Sequence, residues 1–356
     1  MSEELTPKEI EEQEYKEQSN KARLNLVYVS MFSIVMLFAG LTSAYIVSMG
    51  DSFWLKYDLP TPFWISTTAI ILSSLTFLLA VSAAKKGNQS MLKLFMSVTF
   101  VLGMAFVYFQ FKGYFALFDN GVHVVSQVLV TDGKYGDYFE VKYKGDFIEI
   151  NGNDFLLKGE KMSDGELKAY QNFMAQFHKV DEKKAFEVSQ YGKDFILYFE
   201  NVPMTVNEGK LLTGDSVELP YLDRLRLAYL AVNVRDQRGD FYVRGELGKD
   251  FQIYYKGKAL QYENRQLQLD GKKLSNYLQI KSMESADTAS AYLFMITFLH
   301  LLHIIFTLFY LVKLLIGSFS GRINEENTIT IKMGAAFWHF LGFLWLYLLL
   351  FLLFIH

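Results

Sequence analysis

Five long stretches of this sequence contain no Asp, Glu, Lys or Arg: Leu24 to Gly50, Pro62 to Ala84, Leu94 to Phe111, Thr288 to Val312, and Met333 to the end. A helix crosses the hydrocarbon core of a bilayer with about 20 apolar residues, and each stretch is of that order. The 356 residues are 51% hydrophobic, and the hydrophobicity gathers at the two ends of the chain around a polar middle. That distribution fits a membrane protein with a polar insert better than a soluble globule. Five spanning helices are expected.

Composition narrows the function. The formal net charge of −3 favours no nucleic-acid partner. Cysteine is absent, so the chain carries no disulfide, thiolate metal site, Fe–S cluster or thiolate-bridged copper pair. The Glu- and Lys-rich residues 1–23 do not form a signal-peptide pattern and read as a mobile or short helical tail.

Lys and Arg in the short connections set an orientation. Lys16, Lys21 and Arg23 precede the first helix, and Lys85, Lys86 and Lys93 follow the second. Lys313, Arg322 and Lys332 lie between the fourth and fifth. The connection after the first helix offers Lys56 beside Asp51 and Asp58, and the C-terminal tail has no basic residue. The N-terminus is therefore expected in the cytoplasm, and the long segment and C-terminus outside.

Residues 114–287 are too long for a plain loop and need structure of their own. Phe139 to Tyr143, Phe195 to Phe199, Phe241 to Arg244 and Gln252 to Tyr255 read as strands. Lys144-Gly145-Asp146-Phe147, Gly192-Lys193-Asp194-Phe195 and Gly248-Lys249-Asp250-Phe251 are near-copies with hairpin chemistry. Their spacing suggests a weak internal repeat, although three unrelated hairpins are the plainer reading. Ser163-Asp164-Gly165-Glu166 is a capping box, after which Leu167, Tyr170, Phe173, Met174 and Phe177 share a helix face. Leu219 to Val234 fits helix or strand. His123 and His178 stand alone, without ligand spacing.

The apolar stretches also carry polar groups. His300 and His303 share a face of the fourth, and Trp338, His339, Phe340 and Trp345 lie in the fifth. Ionisable residues at membrane depth are functional candidates. Interhelical hydrogen bonding, which His339 could join, is a better reading than metal or haem ligation, because no third ligand lies on the same helix. Gly40, Ser43 and Ala44 form a small-residue stripe on the first helix, and Ser66, Thr67, Ser73, Ser74 and Thr76 do so on the second. Tyr45, Trp54, Phe63 and Trp64 fit an interfacial aromatic belt. Phe337 and Trp338 fit either a belt or the wall of a lipid cleft, and Lys313 and Arg322 could meet lipid phosphates.

In order and spacing, these elements resemble subunit III of the haem-copper terminal oxidases. The resemblance rests on Met36 to Val47, on Leu59-Pro60 with the Ser/Thr residues of the second helix, on Leu102-Gly103 with Gln110, and on His300, His303, Trp338, His339, Phe340 and Trp345. The five-helix form resembles members that lack two N-terminal helices. The resemblance implies a non-catalytic subunit of an aa3-type cytochrome c oxidase in a bacterial inner membrane. Such a subunit packs on subunit I, binds phospholipids in a helix cleft and supports proton uptake. Haem A and copper would lie on subunits I and II, with no cofactor or metal on this chain. The fold expected from the residues is an all-α bundle of five transmembrane helices with an inserted periplasmic, β-rich α+β module between helices three and four, an insert far longer than the family's usual connection. The implied organisation is a cytoplasmic tail 1–23, helices one to three in 24–113, the module in 114–287, and helices four and five in 288–356. Lipid-binding or helix-packing candidates are Tyr45, Trp64, His300, His303, Arg322, Trp338, His339, Phe340 and Trp345. The module would contact subunit II, a cytochrome c, or a quinol-oxidising complex held in a supercomplex. Ile34, Met333-Gly334 and Gly342 stand where the family often has carboxylates or their neighbours, which weakens a proton-conducting role. Alternatives are subunit III of a quinol oxidase and a stand-alone membrane-anchored sensing or adhesion protein.

Overall fold

The computed structural model describes residues 7–50, 52–124, 139–151, 153–189, 191–238, 247–263, 266–284, 288–325 and 327–355. The chain divides into two compact units. One comprises Met1–Ser48, Leu59–Ala116 and Tyr292–His356, and the other comprises Met49–Asp58 with Leu117–Ala291.

The first unit is helical. Helices α1 (Pro7–Met49), α2 (Thr61–Lys85), α3 (Gln89–Asp119), α7 (Thr288–Phe319) and α8 (Ile329–Phe354) are each long and apolar enough to cross a membrane. They overrun the uncharged stretches. Lys93 and Lys112 lie within α3, and Lys313 lies within α7. The charged residues from Lys8 to Arg23 continue α1 rather than forming a separate tail.

The second unit is built from the polar middle of the sequence. Its described strands are β1 (Phe53–Tyr57), β2 (Phe139–Tyr143), β3 (Asp146–Asn151), β4 (Asp154–Leu157), β5 (Glu160–Lys161), β6 (Phe195–Phe199), β7 (Val202–Pro203), β8 (Thr205–Asn207), β9 (Lys210–Leu212), β10 (Phe251–Tyr255), β11 (Lys258–Ala259), β12 (Gln261–Glu263), β13 (Gln266–Leu269) and β14 (Lys272–Lys273). Its helices are α4 (Asp164–Met174), α5 (Tyr221–Arg235) and α6 (Asn276–Glu284), with α5 packed on both others. The segment left ambiguous by its sequence is α5, entered through Pro220. The run Phe241 to Arg244 lies outside the described residues.

The internal repeat is real, and it is larger than three hairpins. Strands β2, β6 and β10 begin at Phe139, Phe195 and Phe251, each 56 residues from the next. Each opens a run of short antiparallel strands that ends in one helix: α4, α5 or α6. Core positions follow the same period. Phe139, Phe195 and Phe251 are buried, as are Val141, Leu197 and Ile253, and Phe155, Leu211 and Leu267. Burying an aliphatic or phenyl side chain contributes about 1.5–3 kcal/mol, so a conserved spacing of such positions fixes one topology three times.

Turn chemistry sets the register. Lys144-Gly145, Lys158-Gly159, Glu200-Asn201, Glu208-Gly209, Lys256-Gly257 and Asp270-Gly271 each join paired strands with both residues at positive φ. Positive φ at both central positions defines the type I′ turn, whose twist matches that of the strands. Of the three predicted near-copies, one is such a hairpin turn, Lys144-Gly145. Gly192 and Gly248 instead begin the turns that lead into β6 and β10, where their N–H groups donate to the carbonyls of Phe195 and Phe251 at 3.1 and 2.8 Å. The similar tetrapeptides therefore serve two different purposes.

The connection between α1 and α2 also belongs to this unit. Strand β1 pairs antiparallel with β10, placing Phe53 opposite Tyr255 and Tyr57 opposite Phe251. Strand β2 pairs with β6 in the same way, placing Phe139 opposite Phe199 and Tyr143 opposite Phe195. Four of the five residue types correspond, Phe53, Leu55, Lys56 and Tyr57 to Phe139, Val141, Lys142 and Tyr143, while Trp54 takes the place of Glu140. The ring pairs correspond as well: Phe53 meets Tyr255 at 4.6 Å where Phe139 meets Phe199 at 5.1 Å, and Tyr57 stacks on Phe251 at 6.3 Å where Tyr143 stacks on Phe195 at 4.6 Å. Trp54 is 1% exposed within β1, so it is a core residue and not part of an interfacial belt.

The capping box forms as its sequence indicates. The Glu166 amide donates to Ser163 Oγ, and Ser163 N–H donates to Glu166 Oε2 at 2.9 Å. These Ser163 donors hold the Glu166 carboxyl below its ordinary range. Tyr170, Phe173, Met174 and Phe177 are buried, with Phe177 in a following 3-10 turn. His178 ends that turn, and its Nε2 meets the Ala231 carbonyl of α5 at 3.2 Å. His123 stacks on Phe118 at 5.4 Å. Burial pushes the Tyr191 phenol up to about 12. The Tyr57 phenol is likewise pushed up to about 12, by burial and by the nearby Asp250 and Asp58 carboxylates.

Candidate functional site in the helical unit

The hydroxyl row of α2 is the seam of the helical unit. Ser66, Thr67, Ser73 and Thr76 each donate to a carbonyl of their own helix, at 2.7–2.9 Å. A helical Ser or Thr bonded in this way keeps its oxygen lone pairs free to accept from a neighbour. Those lone pairs are used. Trp338 Nε1 donates to Ser73 Oγ and Trp345 Nε1 donates to Thr67 Oγ1, both at 2.9 Å. Gln110 Nε2 donates to Ser66 Oγ at 2.9 Å, and the Thr76 and Thr99 hydroxyls meet at 2.8 Å. One side of α2 is thereby fastened to α8 and α3. Each such bond stabilises helix association by roughly 0.6 kcal/mol on average.

Close backbone approach accompanies the seam. A Cβ on Gly103 would stand 2.8 Å from both the Trp338 ring and Leu308, so the indole fits only against a glycine. The Trp338 side chain is fully buried, which corrects the reading of it as a belt or cleft wall.

His300 lies at the centre of the unit, 0% exposed. Its ring is ringed by Trp345 at 5.3 Å, Phe106 at 6.0 Å and Phe38 at 6.4 Å. Nε2 lies 2.9 Å from the Leu341 carbonyl, which can only accept, so the proton resides on Nε2. Nδ1 is then a bare lone pair, and among the described residues it has no hydrogen-bond partner. His303 donates from Nδ1 to the Leu299 carbonyl of its own helix at 2.7 Å and meets Phe38 at 5.9 Å.

His339 takes a different direction. Its ring approaches Phe77 at 6.1 Å and borders a groove of about 360 Å³ with Ile70, Ser74, Leu78, Gly342 and Phe343. Among the described residues no hydrogen bond or ring contact joins it to His300 or His303, so the anticipated meeting of the three imidazoles does not occur. The physical reason is helical phase: His339 leans toward α2, whereas the Leu341 carbonyl faces α7.

The remaining predicted residues divide by environment. Tyr45 is fully buried against Phe351 at 5.0 Å and Tyr292 at 5.7 Å, and Phe63 is buried beside Trp345, so neither lies in a belt. Trp64 is 45% exposed, as a belt residue would be. Phe340 is half-buried beside Phe337 at 6.2 Å. Arg322 lines a cleft of about 610 Å³ with Arg23 and Lys313, and among the described residues no carboxylate lines it. An apolar groove of about 370 Å³ adjoins it through Arg23, Tyr310 and Met333, and extends past Leu26, Phe306 and Phe337 to His303.

The small-residue stripe of α1 points the other way from its expected contacts. Gly40 and Ser43 are exposed, and a Cβ on Gly40 would meet nothing within 4 Å. The packed face of α1 is Ile34, Phe38, Thr42 and Tyr45, with Thr42 bonded to the Tyr347 hydroxyl at 3.0 Å. Larger side chains fill this contact because they offer more surface to bury than a glycine face does.

Sequence reasoning used Gln110 only for the resemblance, and passed over Tyr114 and Arg23 as site residues. A Gln in a stretch otherwise free of charged groups was the available signal for the first, and Arg23 was counted only for orientation. Comparison with known family models and with curated proteins finds no match to this chain.

Proposed function

We propose that this chain is the non-catalytic third subunit of a haem-copper terminal oxidase of the aa3, cytochrome c-oxidising type. It lies in a bacterial inner membrane with its N-terminus in the cytoplasm and its inserted module and C-terminus outside. It packs on subunit I, stabilises the oxygen-reducing core and takes no direct part in electron transfer. Haem A and copper belong to subunits I and II.

The observation that carries this reading is the composition of the bundle's interior. His300, Trp338 and Trp345, on which the resemblance rests, are the side chains that α1, α2 and α3 close around. A plain membrane anchor needs no such polar interior. Two further features support it. The basic cleft of Arg23, Lys313 and Arg322, continuous with an apolar groove, suits a phospholipid with its phosphate in the cleft and an acyl chain in the groove. The uncovered Gly40–Ser43 face of α1 suits a neighbouring helix.

A pull-down of the full chain in gentle detergent tests the proposal, read by a reduced-minus-oxidised visible spectrum and mass spectrometry. A-type haem bands together with subunits I and II are expected. A colourless preparation without them would overturn it. One observation favours a second reading, a stand-alone anchored sensing or adhesion protein: the module has a hydrophobic core of its own, from Phe139 and Leu197 to Tyr170 and Leu230. The colourless outcome would leave that reading standing.

A further inference from the structure

Helix α1 is packed along its second half and stands off along its first. From Ile34 onward a side chain is buried every three or four residues, at Ile34, Phe38, Thr42 and Tyr45. From Leu24 to Ser33 none is buried. Only 11% of the apolar window of α1 is buried, against 28–50% in the other four long apolar helices. Helices α7 and α8 behave differently beside this gap. A Cβ on Gly334 would stand 2.6 Å from Leu314 and 3.0 Å from the Tyr310 ring, so these two helices meet closely. The apolar groove of about 370 Å³ lies where Leu26 and Val27 of α1 face that α7–α8 floor.

The groove and its neighbour differ in chemistry. Leu26, Val27, Phe306, Met333 and Phe337 wall the groove. Protein interiors pack at the density of organic crystals, and lining atoms without neighbours forfeit their dispersion contacts. A run of methylene groups would restore those contacts. Arg23 belongs to the groove and to the adjoining cleft of about 610 Å³, where it joins Lys313 and Arg322. These cations come from three separate elements: α1, α7 and the link between α7 and α8. Among the described residues no carboxylate lines the cleft.

Charge selects the head of the guest. A phosphodiester carrying a choline brings no net charge, and one with an uncharged alcohol brings a single negative charge. Three cations are matched better by a head with two phosphates. Arginine binds phosphate oxygens through paired N–H donors, and basic pockets between membrane helices take polyanionic lipid heads. We propose that a lipid with two phosphates in its head ties the first half of α1 to α7 and α8. One acyl chain fills the groove, and the phosphates lie among Arg23, Lys313 and Arg322. The inference rests on the reading of this cleft as a phospholipid site. To that reading it adds the charge of the head and the role of a tie for the least buried helix.

Val27→Cys places a single thiol on the groove wall of a chain that has no cysteine. The full chain is purified in gentle detergent and stripped of lipid. Its maleimide labelling rate is then measured with added cardiolipin, phosphatidylglycerol, phosphatidylcholine or inorganic phosphate. Cardiolipin should slow labelling several-fold, phosphatidylglycerol less, and phosphatidylcholine and inorganic phosphate hardly at all. Arg23→Gln with Arg322→Gln should abolish the advantage of cardiolipin, both side chains being exposed. Lys332→Gln, at an exposed cation that does not line the cleft, should preserve it. Equal slowing by the three lipids, or none by cardiolipin, would overturn the proposal. Protection by inorganic phosphate alone would overturn the lipid as its source. A loss in Lys332→Gln as large as in the double variant would overturn the site in favour of diffuse charge. If the double variant fails to fold, the ranking of the lipids on the unaltered cations decides. No haem or partner protein is read, so failure here leaves the oxidase reading to its own test.

Discussion

Strands β2 and β6 meet in the same register as β1 and β10, with matching residue types at four of five positions and aromatic pairs at both ends. The first pair joins neighbouring repeats of the module. The second joins the third repeat to the link between two long apolar helices. The difference teaches that the partner strand is recognised by local chemistry and not by its origin in the chain. Phe, an aliphatic residue, Lys and Tyr at fixed positions satisfy β10 as they satisfy β6. A sheet-forming edge needs the alternating pattern and the register, and either a repeat or a helix connection can supply both.

Substitutions in the two pairs test how alike they are. The largest effects are expected from Leu55→Ala and Leu197→Ala, both buried, at about 2–5 kcal/mol each. Hydrogen exchange of the full chain should show Leu55→Ala releasing the amides of residues 251–255 and Leu197→Ala those of 139–143. If Leu55→Ala also released 195–199, the pairs would form one cooperative block. Gly209→Ala, at φ +80 in a type I′ turn, should cost about 1–2 kcal/mol and loosen β8 and β9. Ser163→Ala removes half of the α4 capping box and should cost about 1 kcal/mol, read as faster exchange in the first turn of α4.

The helical unit offers a contrast of scale. Trp338→Phe keeps most of the buried ring and loses one indole hydrogen bond, so about 0.6 kcal/mol is expected by steric-trapping or denaturant titration in detergent. A much larger loss would mean that the seam on α2 acts as a unit. The smallest effect is alkaline. Tyr57 and Tyr191 have phenols raised to about 12 against an unfolded value near 10. The protonated form is thus favoured in the fold, so the contribution is intact below pH 10 and declines as pH rises from 10 through 12. Phenolate absorbance should show both tyrosines titrating late. Ionisation near pH 10 in the folded chain would contradict their burial.

Much of this architecture is readable from composition. Stretches free of charge announce the five helices, and the Ser163-to-Glu166 box announces α4 with its buried face. Strands beginning at Phe139 and Phe195 follow from period-two or continuous apolar runs. What escaped detection has physical causes. Strand β1 is five residues in a short connection, and its partner lies far along the sequence, so no local signal identifies it. The 56-residue period was obscured because one of the three similar tetrapeptides is out of register: Lys144-Gly145 closes a hairpin, whereas Gly192 and Gly248, 56 residues apart, open strands. Tyr221 to Arg235 mixes apolar and charged residues on all sides, so neither period dominates. In the candidate site, the hydroxyl row of α2 and the indoles of α8 were visible as residue types. Their pairing was not, because helical phase between distant segments is set only by packing. The same limit applies to His339, which shares a helix with Trp338 and Trp345 but faces elsewhere.

Strand β1 also imposes an order on biosynthesis. Tyr57 leaves the ribosome nearly 200 residues before its partner Phe251. At 5–20 residues per second, the segment Phe53 to Tyr57 waits about 10–40 s without the edge that will cover it. During that interval a Phe-Trp-Leu strand sits in the link between two newly made apolar helices. A chain truncated before the third repeat would leave this strand permanently uncovered, and such products would be substrates for holdase chaperones and quality-control proteases.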